Sequence, residues 1–328
     1  MYEPPTDPPP PQRVDPYRLD PDSVRAPPPT LGRALRQIGP GLILAASIVG
    51  TGELIATTNL GAQVGFALLP AGAAVAALAM FGITGVGATE LVSCPYWCIE
   101  KGYARYSGPS DGSDAWLARA RGWMRVLRLD AWLSMVVYTI ATLAFYILGA
   151  ATLHDISPDG LPRSVADMLS TLAAMYAPVM GAGAALLFMI VGAFVVLYST
   201  FYSATAANAR TLTDFLGVNC GLALAAPAAR RRWVALFCIL FPPVNVVLFI
   251  LIQDPLLMVL VGAFAQAVTL PILGSAALYL RYRRTEPRLR PGVLWDVFLW
   301  LSVLALTIAA AWGVYDAVVR AVDKLKSI

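Results

Sequence analysis

Two carboxylates lie inside long apolar stretches of the sequence, where a charged side chain is costly. Glu53 follows Gly50-Thr51-Gly52 in the first stretch, and Glu90 follows Gly85-Val86-Gly87-Ala88-Thr89 in the second. A charge at the centre of a bilayer costs roughly 3 kcal/mol on insertion scales, so such residues are rare and usually face a cavity or a partner. The two carboxylates therefore mark a place where a cation could bind.

Glycines flank both carboxylates and give the backbone its own means of binding a cation. They permit a membrane helix to unwind, and an unwound turn frees carbonyl groups that can coordinate an ion. Such a break persists only where protein or water satisfies the freed groups. The pattern predicts two broken helices that together form a cation site. The residues expected to supply its oxygen atoms are Glu53, Glu90, the backbone near Gly50 and Gly85, and Gln266 or Thr269 of a later apolar stretch.

A second interpretation gives the same residues a structural role. Glu53 and Glu90 can be protonated, hydrogen-bonded groups that hold two helices together, and glycines also serve the close packing of membrane helices. A polar cluster near the end of the fourth apolar stretch is open to two interpretations as well, because it can line an exit path or bond to its own helix. Its members are Tyr198, Ser199, Thr200, Ser203, Thr205 and Asn208.

The elements that position these residues are membrane helices. Hydrophobic residues make up 58% of the chain and charged residues 13%, whereas soluble domains carry about a quarter charged residues. There are too few polar side chains to cover a surface that faces water, so the surrounding partner is the lipid bilayer. The sequence predicts an all-α polytopic membrane protein. Its net charge of +4 is not gathered into a patch, so we expect no nucleic-acid partner.

Seven apolar stretches follow residue 36. A helix needs about 20 residues to cross a bilayer, and the stretches are close to that length. They cover roughly 38–60, 66–99, 131–153, 179–204, 233–252, 256–280 and 293–317, and together form a transmembrane domain over 37–319. Residues 1–36 form an N-terminal tail, and eleven of the twenty-five prolines fall within its first thirty residues. This composition predicts a disordered tail. Residues 320–328 form a short C-terminal tail.

Basic residues in the loops predict the orientation. Residues 101–128 contain six of them, 210–232 four and 281–290 five, and the intervening loops contain almost none. Basic residues mark cytoplasmic loops because they resist translocation. The chain is therefore expected in the cell membrane with its N-terminus in the cytoplasm.

The sequence lacks the residue constellations of an enzyme. Its single histidine, His154, rules out a histidine-rich metal site, and neither a Gly-x-Ser-x-Gly motif nor a P-loop is present. Its four cysteines are too scattered for a disulfide framework. We expect no enzymatic activity and no cofactor. Moving a small solute or ion across the bilayer is the function most typical of such a chain.

A family resemblance makes this expectation more specific. The series Gly39-Pro40-Gly41, Gly50-Thr51-Gly52-Glu53 and Gly61-Ala62 resembles the first transmembrane helix of the Nramp (natural resistance-associated macrophage protein) divalent-metal transporters. That helix reads Gly-Pro-Gly, Asp-Pro-Gly-Asn and Gly-Ala at the same spacing. The stretch from Gly82 is similar to the broken sixth helix of the family, and the rest follows the order of helices seven to eleven. The resemblance covers most of 37–317. It implies a LeuT-like fold, alternating access, and a divalent cation as transported substrate.

The residues at the two breaks depart from the family pattern. Gly50 stands where the family has its metal-binding Asp, Thr51 replaces its Pro and Glu53 its Asn. Ala88-Thr89-Glu90 stands near the place of the Met-Pro-His motif of the sixth helix, and Thr269 stands where the tenth helix often has Gln. Without the methionine sulfur the ligands are oxygen atoms, which suit harder cations. We therefore expect an Nramp-like transporter of Mn²⁺ or Mg²⁺.

The resemblance implies that helices two to five of the family are missing from this chain. The first helix runs almost directly into the sixth, with the junction within residues 65–74. This loss preserves the orientation but removes the scaffold that covers the broken helices. In a lone chain we expect Glu53 and Glu90 to face lipid, and hence a homo-oligomer, an association with another transporter subunit, instability or loss of transport. The alternative function is a non-transporting truncated remnant, or a partner subunit of a full-length transporter.

Overall fold

The computed structural model describes residues 17, 19, 21–50, 52–66, 87–162, 164–221, 224 and 226–326. Within these ranges the secondary structure is helical and no strand occurs. Four of the described helices are long and apolar enough to cross a membrane, and a bent pair of shorter helices makes a fifth candidate. The all-α polytopic membrane fold predicted from the composition is confirmed.

The first predicted span is a broken helix, as its glycines indicated. Helix α1, Leu31–Leu35, precedes α2, Pro40–Ile48. A π-helical turn, Gly52–Thr57, then leads into α3, Thr58–Val64. The two halves of this span meet at an angle of 42°. The bend gives the chain the interrupted first helix that the sequence predicted.

The second predicted span is described only in its last part. Residues 67–86, which include Gly82 and Gly85, lie outside the described residues. Gly87 is extended, with φ −78° and ψ 179°, and α4, Ala88–Lys101, begins directly after it. Gly102 then ends α4 in the left-handed conformation and leads into α5, Tyr103–Ser107. Glu90 therefore lies in the first turn of a helix that starts inside the predicted span.

A helix of 39 residues, α6, Asp114–Thr152, replaces part of the predicted loop 101–128. The Ser113 side chain caps its start by accepting the N–H of Trp116 at 3.1 Å. The first half of α6 is rich in arginine, which favoured a loop assignment. It also carries apolar residues at spacings of three and four, which form one buried helix face. These residues are Trp116, Leu117, Ala120, Trp123 and Val126.

Six further α-helices follow along the described part of the chain. They are α7, Val165–Ala174, α8, Ala177–Met180, α9, Ala182–Asn219, α10, Pro227–Ile252, α11, Pro255–Tyr279, and α12, Val293–Lys326. Helix α9 packs against α10, and α11 packs against α12. Helix α12 continues through residues predicted as the C-terminal tail, because the helical backbone extends as far as Lys326.

The start of α2 is held against α6 by a buried carboxylate. Asp130 is 1% exposed, and its Oδ1 and Oδ2 accept the backbone N–H groups of Gly39 and Gly41 at 3.1 and 2.8 Å. These N–H groups have no partner within their own helix, and the helix dipole favours a negative charge beside them. A Cβ atom at Gly41 would lie 2.6 Å from the Asp130 carbonyl oxygen. The Gly-Pro-Gly sequence therefore permits the contact that docks the broken helix.

The basic segments meet at one end of the bundle. Arg281 forms a two-pronged ion pair with Asp296, at 2.7 and 3.0 Å, and Arg288 contacts Asp114 at 3.2 Å. Part of the tail predicted to be disordered is ordered at this end, because Arg25 donates its backbone N–H to the Tyr106 carbonyl at 2.9 Å. The described residues from 21 to 36 therefore pack on the folded helices.

We expect Asp130→Asn to destabilise the chain by about 2 kcal/mol. The side-chain NH2 group of Asn would face one of the two buried backbone N–H groups and could not accept a hydrogen bond from it. Unfolding of the detergent-solubilised protein, followed by circular dichroism during an SDS titration, measures the loss. Asp114→Asn is the matched control, since the Asp114 side chain is 97% exposed and surface substitutions change stability by less than about 0.5 kcal/mol. Equal losses in the two variants would contradict the role given to Asp130.

Candidate functional site

Glu53 is completely buried within a single copy of the chain, at 0% exposure. Its Oε1 lies 3.0 Å from the Thr142 hydroxyl of α6, which also lies 2.9 Å from the Tyr138 carbonyl oxygen. The expectation that a lone chain exposes Glu53 to lipid is wrong, because α6 and α11 both pack against the π-helical turn that carries it. These two helices cover the break.

The break before Glu53 is covered on another side by α9. The Thr200 hydroxyl lies 3.4 Å from the Ala46 carbonyl oxygen and 3.3 Å from that of Ser47. The Ser47 and Ser203 hydroxyls are 2.7 Å apart. Carbonyl groups freed at the end of α2 thus meet hydroxyl groups of a neighbouring helix, which is what a break inside a membrane requires. Two members of the polar cluster predicted near an exit path bond to the broken helix.

Gly50, at the break, lies directly against Thr200 of α9. A Cβ atom there would lie 1.9 Å from the Thr200 Oγ1 and 2.8 Å from the Thr200 Cβ, distances that no side chain could tolerate. The Gly50 carbonyl accepts the N–H of Leu54 at 2.9 Å. That oxygen has a second lone pair, so one acceptor position remains for a further donor or a cation.

Glu90 occupies the first turn of α4 and is half-buried. Beside it, the Thr89 backbone N–H donates to the Gln266 Oε1 of α11 at 3.3 Å. Gln266 was predicted to complete the cation shell, and its amide oxygen lies at the start of the helix that carries Glu90. Gly85, the second of the two predicted backbone positions, lies outside the described residues.

A groove of about 270 Å³ runs between α4, α9 and α11. The Thr269 hydroxyl on its wall bonds to the Ala265 carbonyl oxygen at 2.8 Å. The groove joins the start of α4 to the polar end of α9, while Glu53 and Gly50 do not line it. Helix α11 contacts both the π-helical turn and α4, so it connects the break in the first span with the helix that carries Glu90. The polar residues that line the groove are Thr89, Asn208, Thr211, Gln266 and Thr269.

The donors in this region are oxygen atoms, with few carboxylates. No group of three or more His, Cys, Asp or Glu side chains that could hold a metal ion occurs among the described residues. The predicted set combines the carboxylates of Glu53 and Glu90 with neutral carbonyl, hydroxyl and amide oxygens, but neither carboxylate lines the groove. Hard cations that keep part of their water shell, such as Mg²⁺, suit such a set.

The structure adds two residues that the sequence did not single out. Thr142 is an ordinary residue of an apolar helix, and no local pattern connects it with Glu53, which lies 89 positions away. Asp130 stands at the border of an apolar stretch, where a carboxylate needs no special explanation. The available signal was the pair Gly39 and Gly41, because backbone N–H groups at a helix start need an acceptor.

Comparison with known proteins gave one match. The model of the Nramp family, described as natural resistance-associated macrophage protein-like, matches residues 112–316, which is more than half of the 328 residues. The match covers α6 to α11 and part of α12. The Gly39–Ala62 series lies outside it, and a match to only part of the chain is consistent with the predicted loss of helices two to five. No curated protein and no solved structure matches the chain.

We expect Gly50→Ala to destabilise the chain by roughly 1–3 kcal/mol, because the added methyl group overlaps Thr200. Thr200→Ala removes the clashing hydroxyl, so the double variant should lose clearly less stability than the two single losses combined. The same SDS titration measures this coupling. Gly192→Ala is the control, since a Cβ atom at this α9 position meets nothing within 4 Å. Strictly additive losses would show that Gly50 and Thr200 are not in contact.

Proposed function

The chain belongs to the Nramp family of membrane metal-ion transporters, and from this membership we propose that it carries a divalent cation of the Mn²⁺ or Mg²⁺ type across the cell membrane. The family match is the observation that carries the proposal. Alternating access is the mechanism that the LeuT-like fold implies. The bend of 42° between α2 and the segment after it provides a joint at which one half of the first span can move against the other.

Glu53 is the first proposed ligand. A carboxylate inside a bilayer is stable as its neutral acid or beside a cation, and a transporter can use the change between these two states. Thr142 orients the Glu53 carboxylate through its hydroxyl at 3.0 Å. The carbonyl of Gly50 supplies a neutral oxygen one turn earlier. Full burial in a single chain supports a role inside the bundle for Glu53.

Glu90 is the second proposed ligand, and α11 connects it with the first. Gln266 contacts the backbone of Thr89 beside Glu90, and Thr269 lies one turn later on the same groove. In this proposal the groove is the route by which a partly hydrated cation passes between the start of α4 and the end of the bundle where the basic segments meet. Its amide and hydroxyl groups replace water molecules during passage.

The preference for Mn²⁺ or Mg²⁺ rests on the chemistry of the donors. Glu53, Glu90, Gln266 and Thr269 offer only oxygen, and the place of the family's Met-Pro-His motif holds Ala88-Thr89-Glu90. Soft sulfur and imidazole ligands favour later transition metals, whereas oxygen ligands favour harder cations. The same substitutions remove the family's Asp and His, so the cation-binding charges here come from the two glutamates.

The proposed orientation places the N-terminus in the cytoplasm. Ion pairs of Arg210, Arg281 and Arg288 gather the three basic segments at one end of the bundle. A translocated end with so many arginines is unfavourable, so this end is the cytoplasmic one. The ordered part of the N-terminal tail packs at the same end, since Arg25 contacts Tyr106.

Uptake of Mn²⁺ and Mg²⁺ into proteoliposomes that contain the purified full chain tests the proposal. We expect uptake by the natural chain. Glu53→Gln and Glu90→Gln should each reduce uptake roughly 10- to 100-fold, the range typical of variants that lose a residue supporting a metal ligand. Glu286→Gln is the matched control, because Glu286 lies in an exposed loop at 42% exposure, and it should transport normally.

Two results would overturn the proposal. Full uptake by both glutamine variants would show that the carboxylates are structural groups. The absence of uptake in a folded, monodisperse preparation of the natural chain would favour the alternative, a non-transporting remnant or a partner subunit of a full-length transporter. The mass of the detergent complex, measured by light scattering in the same preparation, distinguishes a lone chain from a homo-oligomer.

A further inference from the structure

A second cavity, of about 460 Å³, lies at the end of the bundle where the basic segments meet. Three exposed arginines line it: Arg25, Arg33 and Arg36. The indole of Trp123 and the Ala26–Pro29 stretch provide much of the rest of its wall. Among the described residues, the cavity shares no lining residue with the groove between α4, α9 and α11. The proposed transport of cations gives it no role.

The walls of this arginine cavity are fixed by contacts to α5 and α6. Trp123 donates its indole N–H to the Arg25 carbonyl at 3.0 Å, and the Arg25 guanidinium lies 4.6 Å from the centre of the Tyr106 ring. At the other end, the Tyr103 hydroxyl donates to the Gln37 carbonyl at 2.9 Å. Burial raises the pKa of the Tyr103 phenol far above its usual value, so this donor stays protonated. The cavity is therefore preorganised.

The proline segment lies directly on α6 because of one small residue. A Cβ atom at Gly122 would lie 2.3 Å from the Pro27 ring, so any larger residue at this position would push Pro27 away. Proline has a fixed φ angle and no N–H group. The Ala26–Pro29 wall is therefore rigid and presents few competing donors, and the arginines are the main hydrogen-bond donors of the cavity.

Among the residues that the structure describes, no carboxylate balances the charge of the cavity. The described residues that line it include no carboxylate, and none of the ion pairs within 4.0 Å between described residues involves Arg25, Arg33 or Arg36. In contrast, Arg210 and Arg281 pair with Glu100 and Asp296 at 2.7 Å. Three like charges around one concave surface repel each other and concentrate anions there. The planar guanidinium group matches the oxygens of a phosphate group in particular.

The position of the cavity relates it to the membrane surface. Arg36 and Gln37 directly precede α2, where the first membrane span begins. Trp123, Tyr103 and Tyr106 pack together beside the cavity, and such aromatic groups are typical of the interface between lipid and water. Basic pockets at this level on the cytoplasmic side bind anionic head groups. We propose that the arginine cavity binds a phosphate group, either that of an anionic phospholipid or that of a soluble phosphate compound.

Native mass spectrometry of the full chain tests lipid binding. The chain is released from micelles that contain equal amounts of phosphatidylglycerol and phosphatidylcholine, and we expect it to retain phosphatidylglycerol selectively. Arg33→Gln/Arg36→Gln should weaken that retention about thirtyfold, from roughly 1 kcal/mol for each arginine near the surface. Arg283→Gln/Arg284→Gln removes the same charge from exposed positions outside the cavity and should keep the selectivity.

Gly122→Ala tests the shape of the cavity without changing its charge. It moves Pro27 and should also reduce the retention of phosphatidylglycerol. If the arginine double variant is not monodisperse, Arg36→Gln alone replaces it, with an expected loss of about fivefold. In a second arm, inorganic pyrophosphate is titrated into the natural chain and into Arg33→Gln/Arg36→Gln, and binding is measured by calorimetry.

The outcomes distinguish a phospholipid from a soluble phosphate compound, and they show whether the arginine cavity binds phosphate at all. Selective lipid retention that depends on Arg33 and Arg36 and on Gly122 identifies a phospholipid. Binding of pyrophosphate that depends on the same residues, without selectivity between the lipids, identifies a soluble phosphate compound. Equal losses in the two arginine pairs, unchanged retention and pyrophosphate binding in Gly122→Ala, or no binding of either probe would overturn the cavity as a site. None of these results depends on cation uptake.

Discussion

The contact between Asp130 and the start of α2 is the constraint on which the arrangement of this membrane domain depends. A broken helix cannot hold its own position, because the residues at the break do not bond along a single axis. The Asp130 carboxylate fixes one half of it by accepting the N–H groups of Gly39 and Gly41. This places α2 along α6, and the π-helical turn with Glu53 follows at the depth where Thr142 can reach it.

The neighbours of the break then satisfy its polar groups. Helix α9 brings Thr200 and Ser203 to the end of α2, and α6 brings Thr142 to Glu53. Each of these contacts comes from a helix within the range that matches the Nramp family, residues 112–316. The part of the chain that matches the family model thus supplies the helices that cover the broken helix, which itself lies outside the match. This explains how a carboxylate stays fully buried within a single copy of the chain.

The two polar regions of the chain differ in the sign of the charge that they attract. Around the breaks the charged groups are glutamates and the other donors are neutral oxygens, an environment for cations. Around Arg25, Arg33 and Arg36 the charged groups are guanidinium groups, and the described lining residues include no carboxylate, which makes an environment for anions. Both regions are built on α6, which passes from the basic end of the bundle into the apolar part. One long helix therefore contributes to both the region that attracts cations and the region that attracts anions.

The sequence by itself determined the membrane class, the helical fold, the break before Glu53 and the family, since hydrophobic length and glycine spacing are local properties. It missed the helical start of α6, because arginines on an amphipathic helix resemble a basic loop. Only the tertiary structure decided that Glu53 is buried, that Asp130 caps α2 and that Pro27 lies on Gly122. The two contacts to Asp130 and the contact to Glu53 join residues 89 to 91 positions apart. Such pairs are set by the packing of whole helices, which leaves no periodic signal in the sequence.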